Sequence, residues 1–137
     1  MTTNLDTRLG SLSPAVISLF RVVLGFMFAI HGASKLFAWP VDSGTGAMPV
    51  GSWPYWYAGV IELVLGLLIM VGLFTRIAAF IASGQMAFAY FTEHQSKGLL
   101  PIENGGEPAV LFCFGFLLLA VIGGGAYALD AARGKRT

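Results

Sequence analysis

Charge is what this sequence has least of. Asp, Glu, Lys and Arg make up 11% of its residues, against roughly 25% in ordinary soluble domains. A soluble fold needs a charged surface to stay dispersed, so the shortage excludes a typical cytosolic globule. The charges nearly cancel, at a formal net of +1. Nucleic-acid binding needs a concentrated basic face, so nucleic acid is excluded as a partner. Cysteine is nearly absent: Cys113 stands alone in an apolar run. It cannot form an intramolecular disulfide, and it reads as an inert core or lipid-facing thiol. Without a Cys-x-x-Cys pair, autonomous thiol chemistry is excluded. No glycine fingerprint of a nucleotide site follows a strand, and no hydrolase-type serine elbow has a suitable context. No Glu-x-x-His spacing exists for a di-metal site. Of the two histidines, His94 falls near a chain surface and lacks the second signature that haem ligation would need. No haem or metal is expected.

What the sequence has in excess is apolar side chains, at 56%. That surplus must face something apolar, and a lipid bilayer is the simplest candidate. The 137 residues suit one domain. Four apolar stretches read as membrane spans, at about 15–37, 55–74, 77–91 and 109–127. About 20 apolar residues are enough to cross ~30 Å of hydrocarbon. A cleaved signal peptide competes for the first stretch, but its apolar region would contain Arg21, and no clean cleavage site follows. Residues 1–14 read as a short polar tail. Between the first two spans, Pro40, Pro49, Pro54, Gly44 and Gly46 break any helix, while Trp39, Trp53, Tyr55, Trp56 and Tyr57 suit a membrane interface. Thr75 and Arg76 read as a tight turn, and residues 92–108 as a second, polar loop.

The expected fold is therefore all-α, an integral four-helix transmembrane bundle. An even number of spans puts both termini on one side. Arg8, Arg76, Arg133, Lys135 and Arg136 fall on that side, while the opposite loops hold Lys97 and Lys35 with Asp42, Glu93, Glu103 and Glu107. Positive charge marks the cytoplasmic side, so both termini are expected there, in a multi-pass protein of the cytoplasmic membrane. Close helix approach in lipid depends on small residues. Gly25, Ala29 and Ala33 recur every four positions, Gly59 and Gly66 sit seven apart, and Ala79, Ser83 and Ala87 repeat the first pattern.

The first span carries three ionisable residues, Arg21, His31 and Lys35. Such groups are costly in hydrocarbon and are placed there with partners or for a task. At ~1.5 Å per residue, His31 lies ~9 Å and Lys35 ~3 Å below the outer face, while Glu62 on the second span lies ~10 Å down. His31 and Lys35, four apart, share a helix face. Glu93, His94 and Glu107 end or open helices on that side. His31, Lys35, Glu62 and Glu107 are thus candidates for a polar pocket suited to a proton-coupled ligand such as a quinone head group. The competing reading is an ion-pair network that fixes helix register, Lys35 to Glu62, with Glu107 at a helix N-terminus. Arg21, ~9 Å in from the other end, is expected to pair with Asp130 as a structural ion pair. Gln85 near mid-membrane reads as interhelical glue.

Arg21, Gly25, Gly32, Lys35 and Leu36 form an Arg-x-x-x-Gly…Gly-x-x-Lys-Leu pattern. Gly59, Glu62, Gly66 and Gly72, then Thr75, Arg76 and Ala79, follow in the second half of the same signature, and Asn104, Glu107 and a glycine-rich stretch ending at Asp130 complete it. In order and spacing these motifs resemble the DoxX family of small bacterial and archaeal membrane proteins, over nearly the whole chain. The resemblance implies membrane redox work. One branch is the membrane subunit of thiosulfate:quinone oxidoreductase. A mycobacterial branch is a membrane partner that organises a superoxide dismutase with a thiosulfate sulfurtransferase. The implied function is the membrane subunit of a redox complex, quinone-linked and tied to thiosulfate or oxidative-stress chemistry. The alternative is a non-catalytic scaffold that anchors soluble redox enzymes. Quinone is the implied cofactor. Lipid, other redox proteins and a second copy of the chain are the implied partners.

Overall fold

The computed structural model describes residues 2–134; Lys135 and Arg136 of the basic tail lie outside them. Among the described residues the chain is all-helical, with no strand. Helix α1 spans Thr2–Ser11, α2 Ser13–Phe37, α3 Tyr55–Val71 and α4 Thr75–Ala89. A π turn at Tyr90–His94 and a 3-10 turn at Gln95–Lys97 prolong α4. Short α5 (Pro101–Asn104), long α6 (Glu107–Ile122) and short α7 (Leu129–Ala132) follow. Helix α2, at 25 residues, is long and apolar enough by itself to cross a membrane; α3 and α6 are apolar but shorter, at 17 and 16 residues.

Helix α2 packs along α3 and α4 along α6, and α3 against α4 joins the two pairs. The core between them holds Phe28, Ile69, Met86, Phe112, Phe116 and Leu119, with Ala78, Ala79 and Ala82 letting α4 approach closely. Phe28 meets Phe116 edge-on, with ring centroids 4.7 Å apart, a geometry aromatic quadrupoles favour. Outward faces carry Leu19, Phe80, Phe114 and Val121, all exposed. A belt of this size is rare on a soluble monomer.

The α2–α3 seam is made by glycine. A Cβ at Gly25 would lie 2.6 Å from the Met70 nitrogen, and one at Gly66 would lie 2.5 Å from the Ala29 nitrogen. A Cβ at Gly32 would strike Leu63 and Gly59 backbone. The row is thus Gly25–Ala29–Gly32; Ala33, expected from its four-residue spacing, is only half-buried. Seven residues return a 3.6-residue helix to the same face, whereas eight overshoot it by most of a quarter turn.

Three boundaries differ from the sequence expectation. Residues 2–11 form a helix and not a loose tail, since Pro14 is the first strong breaker. The tight turn is Gly72–Phe74, and Thr75 and Arg76 already open α4. Gly72 takes the left-handed conformation at φ 78° and Leu73 N donates to Leu68 O, a Schellman ending that uses glycine's freedom. The fourth helix stops at Ile122, five residues before the expected end at Tyr127, because Gly123 breaks it. The chain then folds back under the bundle. Asp130 N donates to Gly72 O at 2.9 Å, and Gly125 lies against Pro14 and Ser18. Arg76 donates to Ala120 O and Val121 O, and the Arg133 guanidinium stands 5.5 Å from the Phe74 ring centre. Arg76 and Arg133 thus share the end of the bundle where α2 begins, opposite Lys35 and Lys97.

Candidate functional site

A cavity of about 320 Å³ opens at the far end of the bundle, between α2, α3, the α4 extension and the start of α6. Phe28, Met86 and Phe112 line its apolar part. Its polar part comes from His31 and Lys35 on α2, Tyr55 and Glu62 on α3, Gln85 on α4, and Glu93, His94 and Lys97 beyond α4. An apolar recess with a few convergent polar groups is the usual form of a small-molecule site.

Glu62 is the centre of the polar group and is only 3% exposed. Lys35 Nζ donates to both of its oxygens, at 2.7 Å to Oε2 and 2.9 Å to Oε1. The Lys35 side chain is 28% exposed, so the ammonium keeps part of its hydration. Gln85 Nε2 donates to Glu62 Oε1 at 3.3 Å. His31 stacks edge-on against Phe112, with ring centroids 6.0 Å apart. It lines the cavity within reach of solvent. The helical spacing of His31 and Lys35 brings both to this wall, and Glu62 meets them because the glycine seam lets α2 and α3 run nearly in contact.

The π turn shapes the opposite wall. One extra residue per turn widens the helix there, and such insertions are frequent at functional sites. Glu93 and His94, which on a regular helix point to different faces, both line the cavity. Glu93 Oε2 accepts from Tyr55 OH at 2.7 Å, joining α4 to α3. His94 Nδ1 lies 3.2 Å from Asn104 O. Buried Asn104 donates to Tyr90 OH and Gly98 O and accepts from Gly106 N, which orders the loop between α4 and α6.

Of the sequence-derived candidates, His31, Lys35 and Glu62 line the cavity, and Glu107 does not. Glu107 is exposed at the first position of α6, and its neighbours Pro108 and Ala109 form the wall instead. Side chains at a helix start lean back toward the N-terminus, which carries Glu107 off the wall. Sequence reasoning missed Tyr55, Phe28 and Phe112 as parts of the site. Gln85 was legible as a lone polar residue in an apolar helix.

Arg21 and Asp130 meet the other end of the bundle, at 2% and 7% exposure. Arg21 Nη1 donates to Gly124 O at 2.6 Å and Nη2 to Met70 O at 3.4 Å. Asp130 accepts from Phe74 N and Thr75 N, both at 2.9 Å, and so caps the start of α4, where a negative charge is favoured. Arg21 Nε and Thr75 Oγ1 are buried there without a hydrogen-bond partner among the described residues. No three His, Cys, Asp or Glu side chains among the described residues gather as a metal site would require.

No solved structure matches the chain. An uncharacterized protein of Haemophilus influenzae is 45% identical to it over 120 residues, which cover 85% of this chain and 90% of that one. The profile of the DoxX family matches residues 16–95. That segment runs from the first turns of α2 through the π turn, and so contains the glycine seam, Lys35, Glu62 and Gln85 together. The chain belongs to the DoxX family.

Proposed function

We propose that this protein is the membrane subunit of a redox complex and that its cavity receives a quinone head group. The four long helices span the cytoplasmic membrane with both termini inside, and the cavity opens near the outer surface. The apolar belt and the length of α2 support insertion. Arg76 and Arg133 at the end where α2 begins support the orientation. Helices α3 and α6 are short for a full span; the π extension of α4 and the irregular segment after Ile122 supply the remaining depth within protein contacts.

The observation that carries this reading is the part-buried Lys35–Glu62 pair on the wall of an aromatic-lined cavity. Ionisable groups inside a membrane protein mark functional sites by default. A quinone supplies two-electron, two-proton chemistry when bound. Lys35 would hydrogen-bond a ring oxygen, Phe28 and Phe112 would contact the ring, and Glu62 or His31 would shuttle the proton. Lipid extraction of protein purified in mild detergent is expected to release quinone, identified by mass spectrometry. Glu62→Gln is expected to lower the amount recovered. If no quinone is found, and added short-tailed quinone also fails to bind, the proposal is wrong.

A second reading is a scaffold that anchors soluble redox enzymes. It is favoured by Val50 and Leu99 in the loops and Ile102 on short α5, which are among the most exposed large apolar side chains. Mild-detergent pull-down is expected to capture partners under this reading, and Val50→Ser with Ile102→Ser to release them. Retention of every partner by that double variant would count against it.

A further inference from the structure

Helix α1 carries an apolar stripe that the bundle leaves uncovered. Every residue from 4 to 16 is exposed. Leu12, between α1 and α2, stays in the right-handed helical region, and Val16 N donates to Leu12 O. Helix α1 therefore prolongs α2 without reversing the chain. At ~1.5 Å per residue, the 25 residues of α2 cover more than the ~30 Å of hydrocarbon. Helix α1 thus stands beyond the bilayer, where exposed leucines meet water unless something covers them. Leu5 and Leu9 are the large apolar residues of an otherwise polar helix, and Leu12 follows them. A stripe this narrow, spaced by four and three, is the form of a coiled-coil contact. A helix that lies on a membrane has a broader apolar face and a polar face rich in Lys and Arg, whereas α1 carries Arg8 alone.

The spacing continues without a break into α2. Written as heptads, Leu9, Val16 and Val23 take one core position (a), and Leu5, Leu12, Leu19 and Phe26 take the other (d). All seven are between 48% and 65% exposed. The bundle meets the opposite face of α2, through buried Ser18, Arg21, Gly25 and Phe28. Val at a with Leu at d is the combination that favours a parallel pair of helices. Two copies inserted alike in one membrane present this stripe to each other in the parallel sense. Asp6 and Arg8 flank it on opposite edges, so the acidic edge of one copy faces the basic edge of the other. With about 100 Å² exposed per residue, the stripe offers about 700 Å² per copy, close to the ~800 Å² per partner of a stable interface. We propose that the protein is a parallel homodimer, and that a second copy of the chain covers the stripe from Leu5 to Phe26. This rests on the reading of the long helices as membrane spans and is independent of what the cavity holds.

The test uses the full chain in its native membranes, with Cys113→Ala as the background. Single cysteines are placed on the stripe, as Leu9→Cys or Leu12→Cys, and on the far face of α1, as Thr7→Cys. Copper–phenanthroline oxidation is expected to cross-link the stripe positions at least about tenfold faster than Thr7→Cys, because facing core positions bring the sulfurs within disulfide reach. Light scattering in mild detergent is expected to give the mass of two copies for the unaltered chain. Leu5→Ser with Leu9→Ser should weaken the dimer at least about tenfold; both lie outside the bundle core, and helical circular dichroism checks that the fold is kept. Equal cross-linking on both faces overturns the proposal. So does a dimer that survives the double serine variant, since the copies would then meet elsewhere. Stripe thiols that do not cross-link and are shielded from a water-soluble maleimide would place α1 on the lipid surface and overturn it too. Each of these results leaves the membrane reading standing, whereas recovery of the chain outside the membrane fraction ends both.

Discussion

Exchanging Lys35 and Glu62, singly and together, measures how strongly this site holds itself. The gross attraction is large: unit charges ~2.8 Å apart at an effective dielectric near 20 attract by about 6 kcal/mol. Burying a carboxylate costs several kcal/mol and cancels much of that. Glu62 is 3% exposed and cannot recover its hydration, whereas Lys35 at 28% side-chain exposure can recover part of its own. The pair therefore lies between an exposed bridge, worth ~0–1 kcal/mol, and a fully buried one, where removal of a partner costs ~3–5 kcal/mol. Lys35→Met leaves a buried carboxylate with Gln85 alone and is expected to cost about 3 kcal/mol. Glu62→Gln leaves a partly hydrated ammonium and is expected to cost about 1.5 kcal/mol. The double variant should cost about 2 kcal/mol, well below the sum, which leaves a coupling of about 2.5 kcal/mol. Titration of the mild-detergent protein with a denaturing detergent, followed by helical circular dichroism, reads these differences. Additivity of the two single changes to within about 0.5 kcal/mol would show that the ammonium is solvated and the pair idle, and the reasoning would fail.

Three further outcomes test the frame that positions the site. Gly66→Ala is expected to cost about 2–3 kcal/mol in the same titration, because its Cβ would lie 2.5 Å from the Ala29 nitrogen, backbone that cannot step aside. Gly84→Ala, whose Cβ meets nothing within 4 Å, should be neutral or gain up to ~1 kcal/mol, and an equal loss at both positions would refute the seam. Asp130→Ala removes the acceptor of two backbone N–H groups at the start of α4; it is expected to cost about 2 kcal/mol, with Asp130→Asn costing less. Ala38→Gly should stabilise by about 0.5–1 kcal/mol, since Ala38 ends α2 at φ 52°, where glycine has no Cβ penalty; a measured loss would mean that the Ala38 methyl has a contact of its own.

The long helices were legible because composition dictates them: Pro54 precedes α3 and Phe37 ends α2 where the proline-rich loop begins. Depth arithmetic placed Lys35 some 7 Å above Glu62 along the bundle. The structure joins the two because a lysine stem is long enough to reach down that distance. What the sequence could not reveal came from interactions remote along the chain. No breaker announces the π turn at Tyr90–His94; it coincides with the bonds of Glu93 to Tyr55 and of Asn104 to Tyr90. The fold-back after Ile122 was hidden for a similar reason. Gly123, Gly124 and Gly125 read as the end of a span, and the bonds of Ser18 and Arg21 to Gly124 O, with that of Asp130 N to Gly72 O, reveal that the chain passes beneath it. Phe28 and Phe112 were invisible as site residues, since aromatics in apolar helices carry no mark of which cavity they line.

The two ends of the bundle use charge in different ways, and the contrast argues for where function lies. At the Arg21 end, Arg21 donates to Gly124 O and Met70 O, and Asp130 accepts from Phe74 N and Thr75 N, all of them backbone groups. Backbone partners tie helix ends together and leave little to exchange with a ligand. At the Glu62 end, side chains bond one another, Lys35 to Glu62 and Gln85 to Glu62. All three side chains stand on the wall of the cavity. A network needed only to fix helix register gains nothing from an open cavity beside it, since solvent there weakens the attraction between its charges. About 320 Å³ of unfilled space beside the pair forfeits packing contacts and weakens the fold unless something fills it.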